Sequence, residues 1–201
     1  MKTEIIVITD RSGSMATIVN DVIGGYNTFI TEQKTVAGEA KVTFTQFDTE
    51  YELVYAGKPL ADVPLLDNKT FVPRGGTALL DAIGRTLNEQ GARIANDKWA
   101  ELVIVCIITD GEENASHEYS RDRIKEMTAH ATKNGWQFIY VGANQDAFSV
   151  ARQMGVANNM TQNYAANSAG TRAVYANVSA SAMSLRSGNV SPVLLQVTDS
   201  N

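Results

Sequence analysis

The chain has little cysteine, histidine and proline, and it lacks long apolar runs. Its 201 residues include one cysteine, two histidines and four prolines. The lone Cys106 cannot form an internal disulfide, and it lies in an apolar run where it packs as a small hydrophobe. His117 and His130 fall in or beside a predicted helix, where surface or capping roles are usual. No run approaches the ~20 apolar residues of a membrane span, so we expect no membrane association.

Charge is modest and evenly spread. Lys and Arg number 17 against 22 Asp and Glu, which gives a net charge of −5. Without a basic run, the chain lacks the electrostatic footprint of a nucleic-acid-binding protein, so we expect no nucleic acid as a partner. The composition, 44% hydrophobic and 19% charged, is that of a globular domain with an ordinary core. The first residues show no secretory signal pattern, and with the lone cysteine this predicts a cytoplasmic protein.

Strand-like and helix-like segments alternate along the chain. The β-branched run at residues 5–8 is apolar on both faces, which is typical of a central strand in a parallel sheet. Two runs around residues 48–49 form a predicted hairpin, so one strand must run antiparallel. Predicted strands cover residues 5–8, 41–47, 51–55, 102–108 and 137–141, and predicted helices cover 15–34, 79–94, 120–134, 146–154 and 168–187. The pattern predicts one α/β domain with a mixed sheet.

The region after about residue 157 differs in composition, being rich in Ala, Ser and Asn. We therefore divide the chain into a domain at 1–157 and a C-terminal extension at 158–201. The extension contains a small-residue helix, which either packs on the domain or serves as a docking arm. The stripe expected to pack closely against another element consists of Ala169, Ala173, Ala176, Ala180 and Met183.

Oxygen-bearing side chains are concentrated where predicted strands end. Asp10, Ser12 and Ser14 follow the first strand, and Asp110 follows the most apolar one. Thr77 comes after two glycines that allow a close approach of the backbone. Ligands of open α/β sheets bind beyond the carboxyl ends of the strands, so these residues are expected to meet there. Two carboxylates and three hydroxyls suit a small hard cation, and Mg²⁺ is the natural candidate, with Mn²⁺ or Ca²⁺ as alternatives.

This set resembles the metal ion-dependent adhesion site (MIDAS) of von Willebrand factor A (VWA) domains. The pattern Asp10-X-Ser12-X-Ser14, then Thr77, then Asp110-Gly111 matches it at all five positions, and the similarity extends over residues 3–155. The sequences around Thr77 and Asp110 look like those of compact intracellular bacterial and phage members. The resemblance implies a doubly wound, Rossmann-like, mostly parallel sheet with one antiparallel edge strand and helices on both faces.

The resemblance also implies how the site works. Ser12, Ser14 and Thr77 would bind the cation directly, and Asp10 and Asp110 directly or through water. A partner protein's Asp or Glu would complete the coordination shell. The expected function is therefore metal-dependent protein binding and not catalysis.

Residues that two kinds of hydrolase and a phosphate-binding loop require are missing from the sequence. A haloacid-dehalogenase-like hydrolase needs a second Asp where Ser12 stands, and a serine hydrolase needs glycines in other places. A phosphate-binding loop needs a Lys before Thr77. The open alternative is a structural or assembly protein that binds without metal through its C-terminal helix.

Overall fold

Six strands and five helices alternate in the residues that the structure, a computed structural model, describes, namely 1–143 and 146–189. The strands are β1 (Thr3–Asp10), β2 (Ala40–Phe47), β3 (Tyr51–Pro59), β4 (Leu102–Thr109), β5 (Gln137–Ala143) and β6 (Thr161–Tyr164). The helices are α1 (Val19–Gln33), α2 (Leu79–Asp97), α3 (Arg121–Lys133), α4 (Ala147–Gln153) and α5 (Ser168–Arg186). Short 3₁₀ helices occupy Gly13–Thr17, Leu60–Asp62 and Asn158–Met160. In these ranges no helix has the length and apolar character needed to cross a membrane.

The strands form one sheet in the order β3-β2-β1-β4-β5-β6. Every neighbouring pair is parallel except β2 and β3, which form the predicted antiparallel hairpin at one edge. The predicted fold class, a doubly wound mostly parallel sheet with one antiparallel edge strand, is therefore confirmed. Since β1 and β4 are neighbours, the loops that follow them lie side by side at the carboxyl edge.

Helices cover both faces of the sheet. Successive residues of β6 show this, because side chains alternate along a strand. Gln162 accepts a hydrogen bond from Asn177 of α5, whereas Asn163 accepts one from the backbone of Ala147 at the start of α4. The central strands are consequently apolar on both sides, and Ile5, Ile6 and Ile8 are fully buried. The connection at 59–76 inserts Leu60, Val63, Leu66 and Phe71 into this core.

Residues 158–189 contribute β6 to the edge of the sheet and α5 to its α1 side. The prediction that the small-residue stripe of α5 packs closely against another element is wrong. Ala169, Ala176 and Ala180 are exposed. The helix instead buries its larger side chains, namely Val174, Tyr175, Val178 and Leu185, together with Ala182. Burying these larger side chains removes more apolar surface from water than burying alanines would, so they determine which face packs.

A glycine of α1 lies at its contact with α5. A β-carbon placed on Gly25 would lie 2.4 Å from Cδ2 and 2.9 Å from Cβ of Tyr175. Since Cβ cannot swing away, Gly25→Ala must push the two helices apart. We expect the variant to lose about 1–3 kcal/mol of the free energy of unfolding, measured by urea denaturation.

The preceding residue supplies a matched control. Gly24 is exposed, and a β-carbon there would meet nothing within 4 Å. Gly24→Ala should therefore leave stability unchanged or raise it by up to about 1 kcal/mol through helix propensity. Equal stabilities of the two variants would show that α5 does not pack on α1 as described.

Candidate metal centre

The two predicted carboxylates meet at the carboxyl edge of the sheet. Asp10 is the last residue of β1, and Asp110 directly follows β4, its parallel neighbour. The hydroxyl of Thr109 donates a hydrogen bond of 2.6 Å to Oδ2 of Asp10. Asp10 is 0% exposed and Asp110 2% exposed. Both side chains are therefore fixed by the strand ends and not by mobile loops.

The serine hydroxyls lie between these carboxylates. The backbone N–H of Ser12 donates to Oδ1 of Asp10 at 2.6 Å, which folds the chain back over the carboxylate. The Oγ atoms of Ser12 and Ser14 are 3.0 Å apart, and Ser14 donates to Oδ1 of Asp110 at 2.7 Å. Ser14 is exposed, so the cluster opens to solvent on this side.

Gly111 marks the centre of the cluster. A β-carbon placed on it would lie 3.0 Å from Oγ1 of Thr77, 3.6 Å from Oγ of Ser14 and 3.8 Å from Oδ2 of Asp10. Oxygen atoms from two separate segments, the turn after β1 and the loop that carries Thr77, thus lie around one position that glycine leaves free. A small cation needs such a cradle of hard oxygens, so the residues fit a Mg²⁺-type ion.

These hydroxyls are not used to cap helices. Ser12 precedes the 3₁₀ helix Gly13–Thr17 but makes no side-chain cap, and α2 begins after Ala78 with no side-chain cap either. No hydrogen bond joins the Thr77 hydroxyl to another of the described residues. Helix capping, the ordinary reason for Ser and Thr at such positions, therefore does not explain them.

The electrostatics favour a positive charge at this place. Burial raises the pKa of Asp10 to about 6, although hydrogen bonds from Thr109 and Ser12 act in the opposite direction. Burial also raises the pKa of Asp110, against a hydrogen bond from Ser14. Each carboxylate is thus destabilised in its charged form by the loss of water, and a bound cation would relieve that cost.

The remaining titratable candidates serve other purposes. Glu113 accepts hydrogen bonds from the backbone N–H of Leu80 and from those of Ala115 and Ser116, so it holds the start of α2 against the loop after β4. His117 and His130 are exposed. In the described part of the chain no three His, Cys, Asp or Glu side chains form a metal-binding group. A cation here would therefore depend on the hydroxyls.

One contact of Thr77 was not predicted from the sequence. Its backbone N–H donates to Oδ1 of Asn114 at 2.9 Å, and the N–H of Asn114 donates back to the carbonyl of Thr77 at 3.0 Å. This reciprocal pair fixes Thr77 against the loop that carries Asp110. The sequence contains Asn114 four residues after Asp110, but nothing in that spacing specifies the contact.

Comparison with known proteins bears on the fold. No family model matches the sequence, and no curated protein matches it. Among solved structures, proximal thread matrix protein 1 from the mussel byssus, with a zinc-occupied MIDAS motif, is 14% identical, with a TM-score of 0.65 over 90% of this chain and 46% of that one. The vWF domain of the pili tip protein Mfa5 from Porphyromonas gingivalis is 10% identical, with a TM-score of 0.64 over 89% of this chain and 94% of that one.

A third structure, the ArnB paralog VWA2 from Sulfolobus acidocaldarius, is 16% identical, with a TM-score of 0.60 over 89% of this chain and 44% of that one. The chain spans about half the length of the mussel and Sulfolobus proteins. Identities this low establish a shared fold, and the mussel protein shows that a metal can occupy the MIDAS motif of a protein with that fold. The chain therefore has the fold of von Willebrand factor A domains.

Proposed function

We propose that the chain is a metal-dependent protein-binding module. Ser12, Ser14 and Thr77 would hold a divalent cation through their hydroxyls, and Asp10 and Asp110 would hold it directly or through water. The observation that carries the proposal is the cradle around Gly111, where oxygens of Asp10, Ser14 and Thr77 lie within 4 Å of one position. The cation would be Mg²⁺, or Mn²⁺ or Ca²⁺ in its place.

The chemistry of the donors explains why a protein partner is expected. Neutral hydroxyls leave much of the charge of a divalent cation unbalanced, so the ion retains affinity for a further anionic oxygen. Ser14 lies on the open side of the cluster, where a partner's Asp or Glu has access. The cation would then join two proteins, and its affinity would depend on both.

The proposal is binding and not catalysis. A hydrolase would need a nucleophile and a general acid or base within reach of the cation. Ser12 replaces the second Asp of a dehalogenase-like site, and both histidines are exposed outside the cluster. The alternative of metal-independent assembly through α5 is less favoured, because the apolar side of that helix is already packed against α1.

Affinity capture from a lysate of cells that express the protein tests the proposal. Wild type and Asp110→Ala are compared in Mg²⁺ and in chelator, and bound proteins are identified by mass spectrometry. We expect a partner that is retained only by wild type in Mg²⁺, because Asp110→Ala removes a carboxylate of the cation site. Parallel samples in Mn²⁺, Ca²⁺ and Zn²⁺ identify the cations that support binding.

The control removes a carboxylate elsewhere. Asp97 lies at the end of α2 and pairs with Lys41 on the surface, so Asp97→Ala should bind as wild type does. A partner retained by both variants and in chelator would contradict a metal bridge.

A further inference from the structure

A buried carboxylate outside the five-residue set links two of the segments that form the candidate site. Asp48 lies in the turn between β2 and β3 and is 1% exposed. Its Oδ2 accepts hydrogen bonds from Nε of Arg11 and from Nε of Arg74, both at 2.9 Å. Although burial acts to raise it, the pKa of Asp48 is lowered by hydrogen bonds from Arg74, the Glu50 backbone and Arg11. Asp48 is therefore a charged side chain between two guanidinium groups.

Each arginine belongs to a segment that carries predicted ligands. Arg11 stands between Asp10 and Ser12, and Arg74 lies three residues before Thr77. The same segments are joined through the backbone: the N–H of Arg74 donates to the carbonyl of Arg11 at 2.8 Å. Asp48 thus joins the segment that carries Ser12 to the segment that carries Thr77.

Further backbone contacts involve the residues on either side of Thr77. The N–H of Gly13 donates to the carbonyl of Gly75 at 3.1 Å, and the N–H of Ala78 donates to the carbonyl of Asp48 at 2.9 Å. Gly75 has a φ of +65°, and a β-carbon there would lie 2.9 Å from Oγ1 of Thr49. The turn that carries Asp48 therefore contacts the Thr77 loop on both sides of Thr77.

The other carboxylates that pair with these arginines are exposed to solvent. Glu52 pairs with Arg11 and is 51% exposed, and Glu50 pairs with Arg74 at 2.6 Å and is 72% exposed. Ion pairs of exposed side chains contribute little, because solvent screens them and the side chains lose entropy. Removing one partner of a buried pair has a far larger effect. The side chains of Arg11 and Asp48 are 7% and 2% exposed, so the position of Arg11 depends on Asp48 more than on Glu52, and Arg74 shares the same carboxylate oxygen.

We propose that Asp48 is a positioning residue for the cation site, which holds Arg11 and Arg74 together and thereby keeps the Ser12–Ser14 segment and Thr77 at the spacing a cation needs. This inference rests on the proposed function. Asp48 does not touch the cation, and it acts through the two segments that do.

Titration of the purified protein with Mn²⁺, followed by calorimetry, tests the inference without any partner. Asp48→Asn keeps the shape of the side chain but removes its charge, and we expect Mn²⁺ affinity to fall by about 10- to 100-fold, as for other residues that orient metal ligands. The matched control is Glu50→Gln, which removes an exposed carboxylate from the same Arg74 and should change affinity by less than about twofold.

Arg74→Gln separates positioning from simple electrostatics. Arg74 is 53% exposed in its side chain, so its replacement leaves the core intact. If the arginine acted only as a nearby positive charge, its loss would tighten cation binding. If it positions the Thr77 loop, its loss weakens binding, and we expect a decrease of about 3- to 10-fold.

The outcomes distinguish the two claims. If wild type does not bind Mn²⁺, the proposed cation site itself fails. If wild type binds but Asp48→Asn stays within twofold of it, or Arg74→Gln binds as well or better, the positioning role of Asp48 is contradicted. Urea denaturation of each variant without metal checks that it is folded under the conditions of the titration, so that a loss of affinity in Asp48→Asn does not reduce to unfolding.

Discussion

Gly111→Ala is expected to abolish cation binding while all five predicted ligands remain in place. The new methyl group would lie 3.0 Å from the Thr77 hydroxyl and within 4 Å of Ser14 Oγ and Asp10 Oδ2. It would therefore occupy the position that the oxygens surround. We expect Mn²⁺ or Mg²⁺ affinity to fall by more than about 100-fold, measured by calorimetry, since a blocked position costs more than a disturbed outer contact.

Gly13→Ala is the matched control for this variant. Gly13 lies in the same site, between Ser12 and Ser14, but a β-carbon there would meet only the carbonyl oxygen of Gly75 at 3.5 Å, an ordinary contact. We expect it to bind the cation within a few-fold of wild type. If Gly111→Ala also retained wild-type affinity, the cation would not lie in the cradle around Gly111.

Asp10→Asn is expected to make the protein more stable at neutral pH in the absence of metal. The pKa of Asp10 is about 6 in the folded protein against an ordinary value of 3.8. A raised pKa means that the folded state binds the proton more tightly than the unfolded state does. The free energy of unfolding therefore falls as pH rises from about 4 to 6. Above pH 6 it is lower by the full cost of keeping Asp10 charged in the folded protein.

Asparagine carries no charge and so avoids this cost. At one pKa unit per 1.36 kcal/mol, we expect Asp10→Asn to exceed wild type by up to about 3 kcal/mol at pH 8 in chelator, and to approach it near pH 4. Urea denaturation across this pH range measures the difference. Asp97→Asn, at an exposed position, should follow the wild-type profile.

The same variant should lose cation binding, because it replaces an anionic oxygen donor. A residue that lowers stability yet is needed for binding is typical of functional sites. If Asp10→Asn were less stable than wild type at pH 8, the carboxylate would serve the fold, and the case for a cation at this position would weaken.

Much of the fold was predictable because local patterns agree with the tertiary structure. The run at residues 5–8 is apolar on both faces because β1 is covered by helices on both sides, and the pair of runs around Asp48 indicated the antiparallel hairpin. The ligand candidates were also predictable, since Asp10 and Asp110 each end a strand and adjacent parallel strands end at one edge. Their role as ligands stays a prediction.

Other features depend on contacts between distant segments, which no local pattern specifies. The alanines of α5 form a regular stripe, but the helix buries Val174, Tyr175 and Val178 instead, and Gly25 on α1 leaves the space that Tyr175 occupies. Asp48 looks like an ordinary turn residue in the sequence. The role proposed for it rests on contacts across the fold, where Arg11 and Arg74 donate to the same carboxylate oxygen.

Locating the cation itself tests the central claim most directly. Crystals of the wild-type protein grown with Mn²⁺ would be measured for anomalous scattering, which reports the position of the metal independently of the protein coordinates. We predict one strong peak beside Gly111, in direct contact with the hydroxyls of Ser12, Ser14 and Thr77. A Mn²⁺-saturated crystal with no peak there, or with the metal bound at another place, would contradict the account.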